Sequence, residues 1–262
     1  DSGFDITLQL LDHHITGRVS AAKYDWYFLD DKRCATKIVF DYLLKEFKAP
    51  LNDYKEWVDT VNAVDIWLEN EKENFEFGKV LMSMVTKARE INSILFNSLD
   101  RDFKFYLLKN SIGFLSLENA PIVLDNSVHS LKKEFLKDGF DDTLDNLSAS
   151  YLVKSLDKIK DDLTVYYNGQ KGLMTYCLGA ISIPANSFLR ANSDYDFFID
   201  VGRKGNASFR ADGKLDVSQL ASKLGNGGGH VNASGCKFDD FIETINLQEV
   251  RAYIQNKLNN LK

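Results

Sequence analysis

The chain has 262 residues, 44% of them hydrophobic and 12% aromatic, and a formal net charge of −6, enough apolar material for one large domain or two modest ones. The negative balance excludes a broad basic footprint, so long duplex DNA is an unsuitable partner, and a polyanionic substrate must be short or held by metal ions and a few local cations. Cys34, Cys177 and Cys236 are scattered, without Cys-x-x-Cys spacing, which argues against a disulfide framework and fits a reducing cytoplasm; no apolar run approaches the ~20 residues of a membrane span.

The run from Ile6 to Leu11 predicts a strand that ends on Asp12, His13 and His14. Carboxylate and imidazole at a strand tip lie where α/β folds place their chemistry. On extended backbone the two imidazoles point in opposite directions, so one is expected to bind metal and the other to meet substrate; the alternative is a solvated loop. Thr36–Phe47 has helical spacing with Thr36 as the expected cap and Pro50 beyond its end. Asn52–Val64 is a second helix, with Tyr54, Trp57, Val58 and Val61 on one face, running into Asp65. Asp65 is a ligand if the fold brings it to His13, and otherwise a solvated helix-terminal carboxylate. Trp26, Trp57 and Trp67 are expected in the core, although an exposed Trp near the site could stack on a base.

Helical patterns follow at 75–95, 99–117 and 127–138, and the acidic stretch Asp138–Asp145 reads as a solvated linker. The domains are therefore drawn at 1–145 and 146–262. In the second, a helix at 147–159 precedes strands at 163–168 and 173–182, a short helix at 184–190, and strands at 195–201 and 206–211. Leu215–Leu224 is a helix leading into Asn226-Gly227-Gly228-Gly229-His230, and Leu247–Leu258 closes the chain. Three glycines can approach an anion with their N–H groups turned inward, and His230 adds a donor; the alternative is a plain loop. A dinucleotide fingerprint fails, because the glycines follow a helix instead of a strand. Arg210, on a predicted strand, carries a fork suited to phosphate.

Taken together, Leu10-Leu11-Asp12-His13-His14, Val64-Asp65-Ile66-Trp67 and Gly227-Gly228-Gly229-His230 with Asn232-Ala233-Ser234-Gly235 resemble the DHH/DHHA1 phosphoesterases, which include nanoRNases, cyclic-dinucleotide phosphodiesterases and exopolyphosphatase-like proteins. The resemblance implies an α/β fold: an N-terminal parallel-sheet DHH domain with a site for two Mn²⁺ ions, Mg²⁺ or Co²⁺ as alternatives, joined by helices to a smaller α/β DHHA1 domain that binds substrate across a cleft. It implies that His13 and Asp65 ligate metal, that Asp12 orients the site, that His14 faces the scissile phosphate, and that Arg210, Gly227, Gly228, Gly229 and His230 hold a phosphate or nucleotide terminus. The family's first motif and its second-motif aspartate are expected upstream of Asp12, where only Asp1 and Asp5 are carboxylates; a longer protein is expected, with this chain holding half of a dinuclear site. The activity implied is release of nucleoside monophosphates from short RNA or linear dinucleotides, by a protein that could form a homodimer. Cyclic dinucleotides, 3′-phosphoadenosine 5′-phosphate and polyphosphate are alternative substrates, and a non-catalytic nucleotide-binding module is an alternative of another class.

Overall fold

The computed structural model describes residues 8–261. Asp1, Asp5 and the start of the predicted first strand lie outside the described residues. The chain divides into two compact units, one running to Ala88 and taking in Lys104–Leu131, the other made of Arg89–Phe103 and the chain from Lys132 onward.

In the first unit, β1 (Leu10–Asp12) pairs in parallel with β2 (Tyr27–Leu29), and the short helix α1 (Arg18–Ala21) lies in the connection. The parallel sheet expected of this half is thus, among the described residues, only two strands; the rest is helical. Helix α2 (Ala35–Phe47) buries Ile38 and Phe40, and α3 (Lys55–Asp65) buries Val58, Thr60, Ala63 and Val64. Helix α4 (Lys72–Thr86) packs on α3, with Gly78 against Thr60 and Val64, and buries Phe75, Phe77, Leu81 and Met84. It stops at Thr86, short of the expected 95; the apolar pattern continues because Ala88 and Ile91 are also buried, from non-helical backbone. The expected cap of α2 is also corrected. Cys34, not Thr36, sits at the N-cap and accepts from the Lys37 N–H through its sulfur, while its own N–H donates to Asn62 Oδ1 at 2.9 Å.

The chain crosses between units within α5 (Asn97–Ser111) and α6 (Ala120–Leu136). The second unit continues with α7 (Leu144–Asp157) and α8 (Lys160–Leu163) before its sheet begins. Strands β3 (Thr164–Tyr167), β4 (Gln170–Tyr176), β5 (Phe197–Val201), β6 (Asn206–Ala211), β7 (Gly228–His230) and β8 (Ala233–Lys237) form one sheet in the order β3-β4-β5-β6-β8-β7. Only the β4–β5 pair is parallel, and its crossover is α9 (Ser182–Ala191). The expected strand 173–182 therefore ends early: Cys177 turns the chain at φ 58° and Ser182 already begins the helix. Helix α7 packs on α9, and α9 on β5 and β6, along one face; α10 (Val217–Leu224) packs on β7 and β8, and α11 (Leu247–Asn259) on β3 and β4. Leu173, Phe197, Phe198, Ile199 and Phe209 are fully buried between these layers. No helix among the described residues is long and apolar enough to cross a membrane.

Candidate active site

Asp12 ends β1, and its carboxylate is used on both oxygens. Oδ1 accepts the backbone N–H of His13 at 2.8 Å and of His14 at 3.1 Å, and lies 2.8 Å from His14 Nδ1; Oδ2 accepts the Tyr27 hydroxyl at 2.5 Å. The Tyr27 bond foremost, then the two from His14, hold the Asp12 carboxyl well below the usual carboxylate range. Asp12 is thus a fixed anion that orients its neighbours and has no proton to give. The arrangement depends on Gly17, where a Cβ would fall on the Tyr27 hydroxyl. With a carboxylate on Nδ1, His14 carries its proton there and presents Nε2 as an acceptor, on a side chain that is 71% exposed.

His13 is the more enclosed ring, 18% exposed, and its Nδ1 lies 3.5 Å from Asp65 Oδ2. The strand ends at Asp12, so the expected divergence of the two imidazoles does not occur: their centroids are 4.2 Å apart, edge to face. They nonetheless serve different partners, His14 with Asp12 and His13 with Asp65. Asp65 is the last residue of α3, where the helix dipole is negative and a further carboxylate is unfavourable unless a cation accompanies it. Two donors each about 2.0–2.2 Å from a divalent ion stand roughly 3 to 3.5 Å apart when they flank one edge of its shell. The His13–Asp65 spacing and the mixed imidazole and carboxylate chemistry therefore fit one side of a metal ion. Among the described residues no third His, Cys, Asp or Glu joins them. Burial pushes the Cys34 thiol pKa up, which disfavours the thiolate a nucleophile needs.

In the second unit, Arg210 on β6 stands opposite Ala233 on β8, and Ala233 opposite His230 on β7. Residues opposite one another share a face, so Arg210 and His230 flank a strip floored by Ala233 and by the next row, Gly235 and Gly228. Arg210 is held by Phe209 O at 2.8 Å and by Ser182 Oγ at 2.9 Å. The glycines are a correction in form. They do not make a loop of inward N–H groups; Gly228 and Gly229 lie in edge strand β7. Gly227 and Gly229 are needed for close packing, since a Cβ on Gly227 would meet Gly235 O and Ala221 O, and Gly229 has φ 144° with Ala233 O at 2.6 Å from its absent Cβ. Gly228 alone of the three has room for a Cβ, its nearest neighbour being Ser222 Oγ at 4.0 Å.

Every site residue named from sequence in the first unit is thus drawn together around β1, and Arg210 and His230 share one face of the second unit's sheet. Sequence reasoning missed Tyr27 and Gly17. The apolar Tyr27-Phe28-Leu29 after Trp26 was the available signal for a second strand, but three residues are too few to show a period.

Residues 179–260 match the DHHA1 domain. A 3′,5′-cyclic-nucleotide phosphodiesterase of Helicobacter pylori (strain ATCC 700392 / 26695) is 43% identical over 261 residues, spanning 98% of this chain and 75% of the relative. Oligoribonuclease NrnB of Bacillus subtilis (strain 168) is 24% identical over 276 aligned positions, 97% of this chain and 60% of its own. The crystal structure of an uncharacterized protein from Helicobacter pylori G27 superimposes with a TM-score of 0.90 at 44% identity, over 99% of this chain and 77% of that one. Similarity of that extent to a phosphodiesterase, with a DHHA1 match over the glycine strip and an Asp-His-His triplet joined to Asp65, makes this chain a member of the DHH/DHHA1 phosphoesterase family.

Proposed function

We propose that the protein is a metal-dependent phosphodiesterase acting on 3′,5′ linkages of small nucleotides, with a 3′,5′-cyclic nucleotide as first substrate and short oligoribonucleotides or linear dinucleotides as second. The observation that carries this is the His13–Asp65 pair beside the Asp12–His14 pair, in a chain 43% identical to a cyclic-nucleotide phosphodiesterase. The weaker likeness to an oligoribonuclease supports the second substrate class.

His13 and Asp65 would hold a divalent ion, Mn²⁺ being suited to mixed nitrogen and oxygen donors with Mg²⁺ or Co²⁺ as substitutes; when bound, it supplies charge neutralisation at the phosphoryl oxygens and a more acidic water. In the hydrolysis, the water oxygen bonds to phosphorus, the bond from phosphorus to the leaving ribose oxygen breaks, and the proton lost by water ends on that oxygen. His14 Nε2 is the group assigned to carry that proton, because Asp12 fixes its tautomer and aims the ring. Asp12 remains the anion that stabilises the imidazolium during transfer. Arg210 and His230 would grip a phosphate over the small-residue strip, with Gly228 leaving space for its close approach.

The test is turnover of 3′,5′-cyclic AMP, a diadenylate and a five-nucleotide RNA by the purified protein, with Mn²⁺ and after chelation. Hydrolysis of the cyclic nucleotide that is lost on chelation is expected. Nucleotide binding without turnover of any of the three would replace this reading with that of a binding module.

A further inference from the structure

We infer that Trp67 is a nucleobase platform beside the His13–Asp65 pair, an inference that rests on the reading of the site as one for nucleotides. Trp67 follows Asp65 by two residues and is 59% exposed. Helix α3 closes there with the Leu68 N–H on Ala63 O at 2.8 Å, which forces Trp67 to φ 61°. That is a left-handed conformation costly for a bulky side chain and ordinarily given to glycine or asparagine. Backbone strain at an exposed aromatic is a cost that a smaller residue would not incur.

The ring is also fixed. Indole Nε1 donates to Glu69 Oε1 at 2.7 Å, and Phe75 meets the ring at 82° with centroids 5.1 Å apart. An edge-to-face neighbour and an in-plane hydrogen bond leave a flat face of the indole to solvent, immobilised before any ligand arrives. The other two tryptophans differ. Trp26 is stacked between Tyr24 and Tyr27, so both of its faces are taken; Trp57 is half-buried with its N–H on Ser111 Oγ. After Trp67 the exposed Glu69, Glu71 and Glu73 outnumber the exposed Lys72, so the local charge disfavours a phosphate there but not an uncharged base. The stacked group is therefore the base, with its phosphate turned back toward His13.

The experiment is quenching of tryptophan fluorescence by adenosine 5′-monophosphate, with ribose 5-phosphate as the base-free probe, in wild type, Trp67→Phe and Trp26→Phe. Quenching by the nucleotide alone is expected, retained in Trp26→Phe and lost in Trp67→Phe. Trp67→Asn, which tolerates the left-handed backbone, should fold with an unchanged melting profile and raise KM for the cyclic nucleotide about tenfold with little change in kcat. Wild-type quenching in Trp67→Phe, or an unaltered KM in Trp67→Asn, would overturn the assignment. Turnover with no Trp67-dependent quench would sink this inference and leave the phosphodiesterase reading intact; the quench without turnover would do the reverse.

Discussion

Asp12 is worth more to this site as a held anion than as a reactant, since each bond it accepts would be weakened by protonation. Because its folded pKa lies below the ordinary 3.8, the stability it contributes is complete above that value and lost as pH falls through the folded one. The Tm gap between wild type and Asp12→Asn should accordingly be constant from pH 5 to 7 and shrink below pH ~3.8. A gap equally wide at pH 3 and pH 6 in calorimetry would show that the charge is not what the cluster stabilises. In turnover, Asp12→Asn should lower kcat about 10- to 100-fold, the usual effect of removing the group that orients a site histidine. Gly17 belongs to the same unit. Gly17→Ala displaces the Tyr27 hydroxyl, so its effect and that of Tyr27→Phe should not add; additive losses in kcat would mean that the two act on different groups.

At the scale of elements, the glycine strip shows how one run of identical residues divides its labour. Gly227 and Gly229 let β7 and its approach lie against β8 and α10, and Gly229 adds a backbone angle that side chains rarely adopt. Gly229→Ala should therefore destabilise by about 1–3 kcal/mol through overpacking, whereas Gly228→Ala should melt as wild type and raise KM instead. Equal melting shifts for the two would make the whole run structural. The run was conspicuous in sequence but not legible as a strand, because glycine carries no periodicity and the pairing is decided by β8. By contrast β6 (Asn206–Ala211) was legible to the residue, since Ala207, Phe209 and Ala211 alternate with polar neighbours and all three are buried. Helix α3 was legible as an element but its buried face was only partly so: of Tyr54, Trp57, Val58 and Val61 only Val58 is buried, beside Thr60, Ala63 and Val64. What ends it was not: the left-handed Trp67 contradicts local propensity and would have been read as a core residue, the place where local rules fail and function is to be sought. The thiol cap of Cys34 was hidden for the same reason, a hydroxyl nearby at Thr36 being the better local candidate.

At the scale of the molecule, the two sheets stand in different condition. The six-stranded sheet of the second unit has helices on both faces, whereas β1 and β2 expose apolar side chains on both of theirs. Leu10 shares a face with Tyr27, and Phe28 shares the other with Leu11; Leu10 and Phe28 are each exposed, as are Leu8 and Ile15 close by in the chain. Parallel strands are stable when both faces are covered, so among the described residues the exposed side chains of this pair are expected to take up an apolar probe. The second unit carries its own exposed apolar pair, Ile242 and Ile245, which lie outside its sheet and offer two isolated side chains instead of a face. An apolar dye such as anilinonaphthalene sulfonate should bind the native protein, lose most of its fluorescence enhancement with Leu10→Lys and Phe28→Lys together, and keep it with Ile242→Ser and Ile245→Ser together. Melting of each double variant measured alongside separates loss of a surface from loss of the fold. Should the isoleucine variant remove the signal while the strand variant keeps it, Leu10 and Phe28 would not be the side chains that bind the dye.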